Sequence, residues 1–309
     1  MACLLLDHYE HIIDTCQRDM SFSWALECAA GRRQSEGTCY IVKRCLHAGA
    51  DPHKLWKNGL SAIHMASRLG SVEIARVLLQ HDSTLSQARD SRDWTALHYA
   101  AQSGEGEIVD LLVNQIGADI NARARRDEGL TALHVAVMEG NCEIAKQLLH
   151  HGADACFIAK KGFSSTVLHL AAILGNPEIT AILLNHVARL HIRDRFGRMP
   201  LHWAAQYGNM RVVELLLDYG ADIHAVDIES RKAIHVAAKW GRKDVVSLLT
   251  TKHSSAETSS VTKIFSDAMS ANYVLNDVKK ALVAYEEAYC ESVDNQDDPD
   301  RVGHMCSIM

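Results

Sequence analysis

The sequence predicts an all-α fold, a solenoid of short helix–turn–helix repeats stacked along one axis. Three observations predict it. A hexapeptide centred on a histidine recurs six times, a glycine follows each histidine after the same interval, and an apolar segment follows each glycine. Composition points the same way. Hydrophobic residues make up 48% of the 309, which excludes disorder for most of the length. Aromatics are 6% and prolines number 4, which favours helix over an all-β fold.

The hexapeptides are Ser61–Ala66, Thr95–Ala100, Thr131–Ala136, Thr166–Ala171, Met199–Ala204 and Lys232–Ala237. Their histidines, His64, His98, His134, His169, His202 and His235, step by 34, 36, 35, 33 and 33 residues. Each opens a short first helix, which a Thr hydroxyl at its start can cap. Six residues after each histidine stands Gly70, Gly104, Gly140, Gly175, Gly208 or Gly241, where a left-handed residue ends that helix. A second helix follows, such as Ile74–Leu79 or Val212–Leu217, and its Leu-Leu pair supplies the core between repeats. Gly-Ala-Asp then closes the unit at 117–119, 152–154 and 220–222.

These residues resemble the ankyrin repeat, a unit of about 33 residues with a β-turn and two helices. The resemblance covers about residues 22–252. It implies that the six motif histidines hydrogen-bond to backbone of neighbouring loops, and that the alanine after each is small because helices cross there. It also implies a surface that holds other proteins, without naming one.

Before the six clear repeats (54–252), residues 22–53 read as a worn copy. Trp24–Ala30 is a first helix without the histidine, and Tyr40–Leu46 is the second helix. Residues 1–21 read as an N-terminal capping segment. After His253 the pattern stops, and 253–260 is a polar linker. Residues 261–292 show three- and four-residue apolar steps, the mark of an amphipathic helical tail. Two readings stand for it, a cap on the last repeat or a partner-binding helix. Residues 293–309 form an acidic tail ending in Cys306-Ser-Ile-Met309, a Cys-aliphatic-aliphatic-X pattern of the type that is farnesylated. A lipid at Cys306 and an unmodified thiol both fit. One lipid alone gives weak membrane association, and no polybasic stretch precedes Cys306.

Several function classes drop out. A net charge of -6 argues against nucleic acid as a partner. Nine cysteines without a C-x-x-C point to a reducing compartment rather than a disulfide framework. The opening Met-Ala-Cys-Leu-Leu-Leu lacks a basic region and reads as no signal peptide, and no apolar run approaches a membrane span. The expected location is cytoplasmic, with peripheral membrane and nuclear residence both compatible. Six of the 18 histidines belong to the repeat motif. His150-His151 suits a helix C-terminus, and His8 and His11 lack companion ligands, so no metal is expected. No catalytic or phosphate-cradling motif occurs, so neither enzyme activity nor a cofactor is expected. Asn121, in Gly-Ala-Asp119-Ile-Asn121, occupies a place hydroxylated in some ankyrin repeats. The ordinary role there is turn hydrogen bonding.

In the resembled fold, the turn tips and the outward positions of the first helices line a concave face. Counting from each histidine puts Trp94, Arg195, Phe196, Arg198, Tyr207, Arg231, Lys239 and Trp240 there. Trp, Tyr and Arg are the residues that dominate binding hot spots. A basic, aromatic groove on an acidic chain predicts a protein partner carrying acidic and apolar residues. The chain is read as a monomeric, non-catalytic adaptor. Alternatives are an unmodified regulatory subunit of a ligase or proteasome assembly, or an accessory or effector protein acting beside an enzyme.

Overall fold

The computed structural model describes Leu26 and residues 28–31, 36–56, 59–127, 129–159, 165–186 and 189–252. The N-terminal cap, Trp24, His8, His11, the linker, the helical tail and Cys306 lie outside the described residues. The described part is an all-α solenoid of paired helices. In order these are α1 (Glu36–His47), α2 (Ala62–Arg68), α3 (Val72–His81), α4 (Ala96–Ser103) and α5 (Gly106–Asp110), which runs on through a π-helical turn, Leu111–Gln115. Then come α6 (Ala132–Met138), α7 (Cys142–His150), α8 (Val167–Leu174), α9 (Pro177–Asn185), α10 (Pro200–Tyr207), α11 (Met210–Asp218), α12 (Ala233–Lys239) and α13 (Lys243–Lys252).

Stacking explains why such short helices hold. An isolated helix of seven to ten residues is marginal in water. Here the first helices of successive repeats pack on one another through Ala66, Ala100, Ala136, Ala171, Ala204 and Ala237, all essentially inaccessible. The second helices add Leu78, Leu112, Leu148, Leu183, Leu216 and Leu249, and the core is continuous along the array. Gly104, Gly175 and Gly208 end their helices in the left-handed conformation at φ 78°, 73° and 77°.

Between repeats a tight hairpin, here called a finger, projects ahead of each first helix. It is closed by a backbone bond such as Asp90 N–H to Trp94 O at 2.9 Å or Asp194 N–H to Arg198 O at 2.9 Å, with a second inside it, Asp93 N–H to Asp90 O or Gly197 N–H to Asp194 O. Two fingers are wider. Ala124 bonds Leu130 and Ala159 bonds Ser165, which accounts for the longer 36- and 35-residue steps.

Candidate partner-binding surface

Three of the tight fingers are each organised by a buried carboxylate eight residues ahead of the motif histidine; in the finger closed by Trp56 N–H to Leu60 O, Trp56 holds that place. Asp90 Oδ1 accepts the N–H groups of Arg92 and Trp94 at 2.9 and 2.6 Å. Asp194 does the same for Phe196 and Arg198, and Asp227 for Glu229 and Arg231. The other carboxylate oxygen reaches the first helix. Asp90 Oδ2 accepts the Tyr99 hydroxyl at 2.6 Å, and Asp194 Oδ2 accepts Trp203 Nε1–H at 2.9 Å. The residue after His235 is Val236, and there Asp227 turns to Arg231 instead, at 2.9 and 2.7 Å. In the two wide fingers the carboxylate is replaced by Ala124 and Ala159. The sequence reading missed these aspartates. The signal that finds them is an Asp at a fixed eight-residue lead, present only where the finger is tight.

The predicted surface residues separate into two groups. Trp94 is a correction: it is 3% exposed, packed 5.2 Å from Tyr99 and 5.6 Å from His98, with the Arg92 guanidinium 4.4 Å above it. It faces the core because its backbone closes the finger, so it offers nothing to a partner. In the C-terminal half, Arg195 is exposed and lies 4.7 Å over the Phe196 ring. Phe196 and Tyr207 are half-buried, and Tyr207 stacks on Trp203 at 6.2 Å. Lys239 is exposed and Trp240 half-buried at the end of α12.

Arg198 joins this cluster from beneath. Its side chain is 16% exposed and lies 5.4 Å from the Phe196 ring and 4.7 Å from the Trp203 ring. It donates to Gln206 Oε1 at 2.9 Å and stands 3.8 Å from Asp227. Burial, with Arg231 nearby, lowers its pKa against the pull of Asp194 and Asp227. Arg231 is 17% exposed and pairs with Asp227 and, at 2.7 Å, with Glu229. Burial alone would raise the Asp227 carboxyl; the bonds and charge of Arg231 outweigh it and hold it below the ordinary range. The groove is therefore less basic than a residue count suggests. Arg198 and Arg231 answer internal carboxylates, and Arg195 and Lys239 are the exposed cations of the predicted set. Burial also raises the Tyr207 phenol pKa.

The motif histidines build the joints between repeats. The N–H of Thr95 donates to His98 Nδ1 at 3.2 Å, and the Thr95 hydroxyl lies 2.9 Å from the same nitrogen. Nδ1 is thus the acceptor, which leaves the proton on Nε2, and Nε2 donates to Leu130 O at 3.2 Å. His64, His169 and His202 repeat the arrangement onto Ala88 O, Arg198 O and Arg231 O. Met199 and Lys232 stand in the Thr place and keep the backbone bond alone, to His202 and His235. Asn121 Oδ1 accepts the Asp154 N–H at 2.9 Å, the turn bond of the ordinary reading. His151 lies 3.0 Å from Asp110, and His150 ends α7. Among the described residues no group of three potential metal ligands converges, and no helix is long and apolar enough to cross a membrane.

Comparison with known proteins gives the same picture for the whole array. The sequence profile for Ankyrin repeats matches in three copies, at residues 26–124, 133–227 and 168–261. Similar chains include human Ankyrin repeat and SOCS box protein 3, 33% identical over 94 residues, 30% of this chain and 18% of that one. The chicken Nuclear factor NF-kappa-B p105 subunit is 30% identical over 147 residues, 47% of this chain and 14% of its own. A Putative ankyrin repeat-containing protein of Treponema pallidum (strain Nichols) is 33% identical over 129 residues, 42% of each. The chain spans less than half the length of each of these relatives.

Proposed function

This chain belongs to the ankyrin-repeat family, and on that premise we propose that it is a non-catalytic adaptor holding a protein partner on its concave face. The observation that carries this reading is the C-terminal cluster, where Arg195, Phe196 and Tyr207 are presented above the buried Arg198–Trp203 layer. Rigid aromatic faces beside an exposed guanidinium suit a partner segment that alternates acidic and apolar residues. Lys239 and Trp240 extend the same surface onto the last repeat.

The test is capture of partners from cells, with wild type against Arg195→Glu combined with Tyr207→Ala. Both side chains lie outside the finger-closing bonds, so helicity is expected to persist while recovery of specific partners falls. Unchanged recovery would sink the reading. Arg198→Glu is a poor substitute, because it places a new carboxylate beside Asp194 and Asp227.

The Cys306-Ser-Ile-Met309 motif adds a farnesyl tether to this proposal, with peripheral membrane residence. Labelled prenyl incorporation in cells, wild type against Cys306→Ser, decides it. Equal labelling of the two leaves the adaptor as an unmodified subunit of a larger assembly.

A further inference from the structure

Two polar ladders run between the six histidine-bearing repeats, beside the continuous apolar core. In the first, His64, His98, His169 and His202 donate Nε2–H to backbone carbonyls of the next repeat, in its finger or just ahead of it. In the second, the residue after the helix-ending glycine reaches back to the end of the previous first helix. Asn141 Nδ2 donates to Ala101 O and Gln102 O at 2.8 and 3.2 Å. Asn209 Nδ2 donates to Ala172 O and Ile173 O at 2.8 and 3.0 Å, and Arg242 Nε to Gln206 O at 2.9 Å. At the first junction Glu105 occupies this place, and the histidine rung from His64 to Ala88 is intact.

Between the repeat of His134 and that of His169, the histidine rung is weakened and the asparagine rung is missing. His134 is 1% exposed, and its Nε2 makes no well-formed hydrogen bond, although the backbone of Phe157 and Ser165 lies close enough to act on the ring. Asn176, the counterpart of Asn141 and Asn209, does not reach Val137 O or Met138 O. Its Oδ1 accepts the Ile179 N–H at 3.0 Å, capping its own helix, and its Nδ2 meets only Cys142 Sγ at 3.9 Å. The cause of the lost asparagine rung is legible in the sequence. Asn176 is followed by Pro177, whereas Asn141 and Asn209 are followed by Cys142 and Met210. A residue before proline is pushed to more extended ψ. Asn176 sits at ψ 106°, against 81° and 73° for Asn141 and Asn209, and its side chain swings from the neighbouring repeat to its own first turn. Besides core packing, this junction keeps Asn121 Oδ1 with Asp154 N–H, Arg123 Nη2 with Ile158 O at 3.3 Å, and the Cys142 thiol beside Glu178.

We propose that the solenoid is jointed here, so that α2–α7 and α8–α13 open and tilt as two units rather than one. In a repeat array, cooperativity is carried by nearest-neighbour interfaces, so the junction poorest in rungs is where it divides. The C-terminal unit contains Arg195, Phe196, Tyr207 and Trp240, so the angle at the joint sets how much of the N-terminal concave face a segment bound there can also touch. The joint itself stands whether or not that surface binds a partner.

Native-state hydrogen exchange of the full chain in rising urea tests this. Amides of α2–α7 and α8–α13 are expected to fall into two sets, each with one opening free energy, separated on the order of tenfold in exchange rate. Pro177→Met copies the Asn209-Met210 pair, frees Asn176 to reach back, and is expected to bring the two sets together. The reciprocal Met210→Pro is expected to create a second division, between α8–α9 and α10–α11. Asn176→Ala with Pro177 kept weakens α9 locally and leaves the division where it was. A wild-type chain whose amides all share one opening overturns the proposal. So does a division unmoved by Pro177→Met while Met210→Pro creates none.

Discussion

Acid should loosen this array through its motif histidines, and His134 gives the size of the effect. Burial, with the His98 ring nearby, lowers its pKa from 6.5 to about 4. Between those values the unfolded chain binds a proton that the folded chain refuses, so stability rises with pH across the window. The contribution is fully present above pH 6.5 and is lost as pH falls toward 4. For one such group the loss between about pH 7.5 and pH 5 is roughly 2 kcal/mol, and at pH 4 it approaches about 3 kcal/mol. Burial lowers His64, His169 and His202 in the same direction, so the whole array steepens the trend. The assay is urea unfolding of wild type and His134→Gln at both pH values, followed by far-ultraviolet ellipticity. The variant loses some stability at neutral pH, because Gln fills the site less well. Its further loss on acidification should be smaller than that of wild type by about 2 kcal/mol. Equal pH slopes for the two proteins would refute the reasoning, as would a His134 ring titrating near 6.5 by NMR in the folded state.

Three further outcomes follow from the fingers and helix ends. Asp194→Ala strips the acceptor from the Phe196 and Arg198 N–H groups and from Trp203 Nε1, and should cost on the order of 3 kcal/mol by thermal or urea melting. Ser230 turns its finger at φ 58°, a conformation Gly197 takes at φ 68°; Ser230→Gly should stabilise by about 1 kcal/mol, read as a higher urea midpoint. Gly140→Ala meets open space and should cost only the left-handed strain, about 1 kcal/mol. Gly175→Ala would add a methyl 2.6 Å from the Asn209 side chain and displace its rung, and should cost about 1 kcal/mol more than Gly140→Ala in the same assay.

The repeat itself was fully legible, because it is written in residue types that leave little choice. A histidine with alanine two residues on, a glycine at a fixed interval and a Leu pair specify one helix, one stop and one apolar face. The surface was less legible, for a physical reason. A finger is five to seven residues long, and whether its side chains point outward depends on which backbone groups need an internal acceptor. Trp94 and Phe196 hold nearby places in equivalent fingers, yet Trp94 is packed against Tyr99 and His98 while Phe196 stays half-exposed. The sequence reading counts Arg198 and Arg231 as positive charge on the groove, whereas both side chains face the buried Asp227. A count of arginines cannot reveal that this carboxylate is folded under the turn.

The same accounting shows where departures from the repeat carry meaning. When a finger widens, its buried Asp becomes Ala124 or Ala159, because the longer loop no longer aims two N–H groups at one point. At Ala124 that exchange leaves the His98 rung intact on Leu130 O, whereas at Ala159 it accompanies the weakened His134 rung. Pro177 is different, since what Asn176 gains as a cap on α9 the neighbouring repeat loses as a rung. One helix is stabilised by about 1 kcal/mol while an interface forfeits a similar amount, so total stability moves little and cooperativity moves more. A melting temperature alone would therefore miss the substitution, whereas residue-resolved exchange would not. In a solenoid, where every repeat touches only its neighbours, such a trade within one dipeptide suffices to decide whether six repeats act as one body or as two.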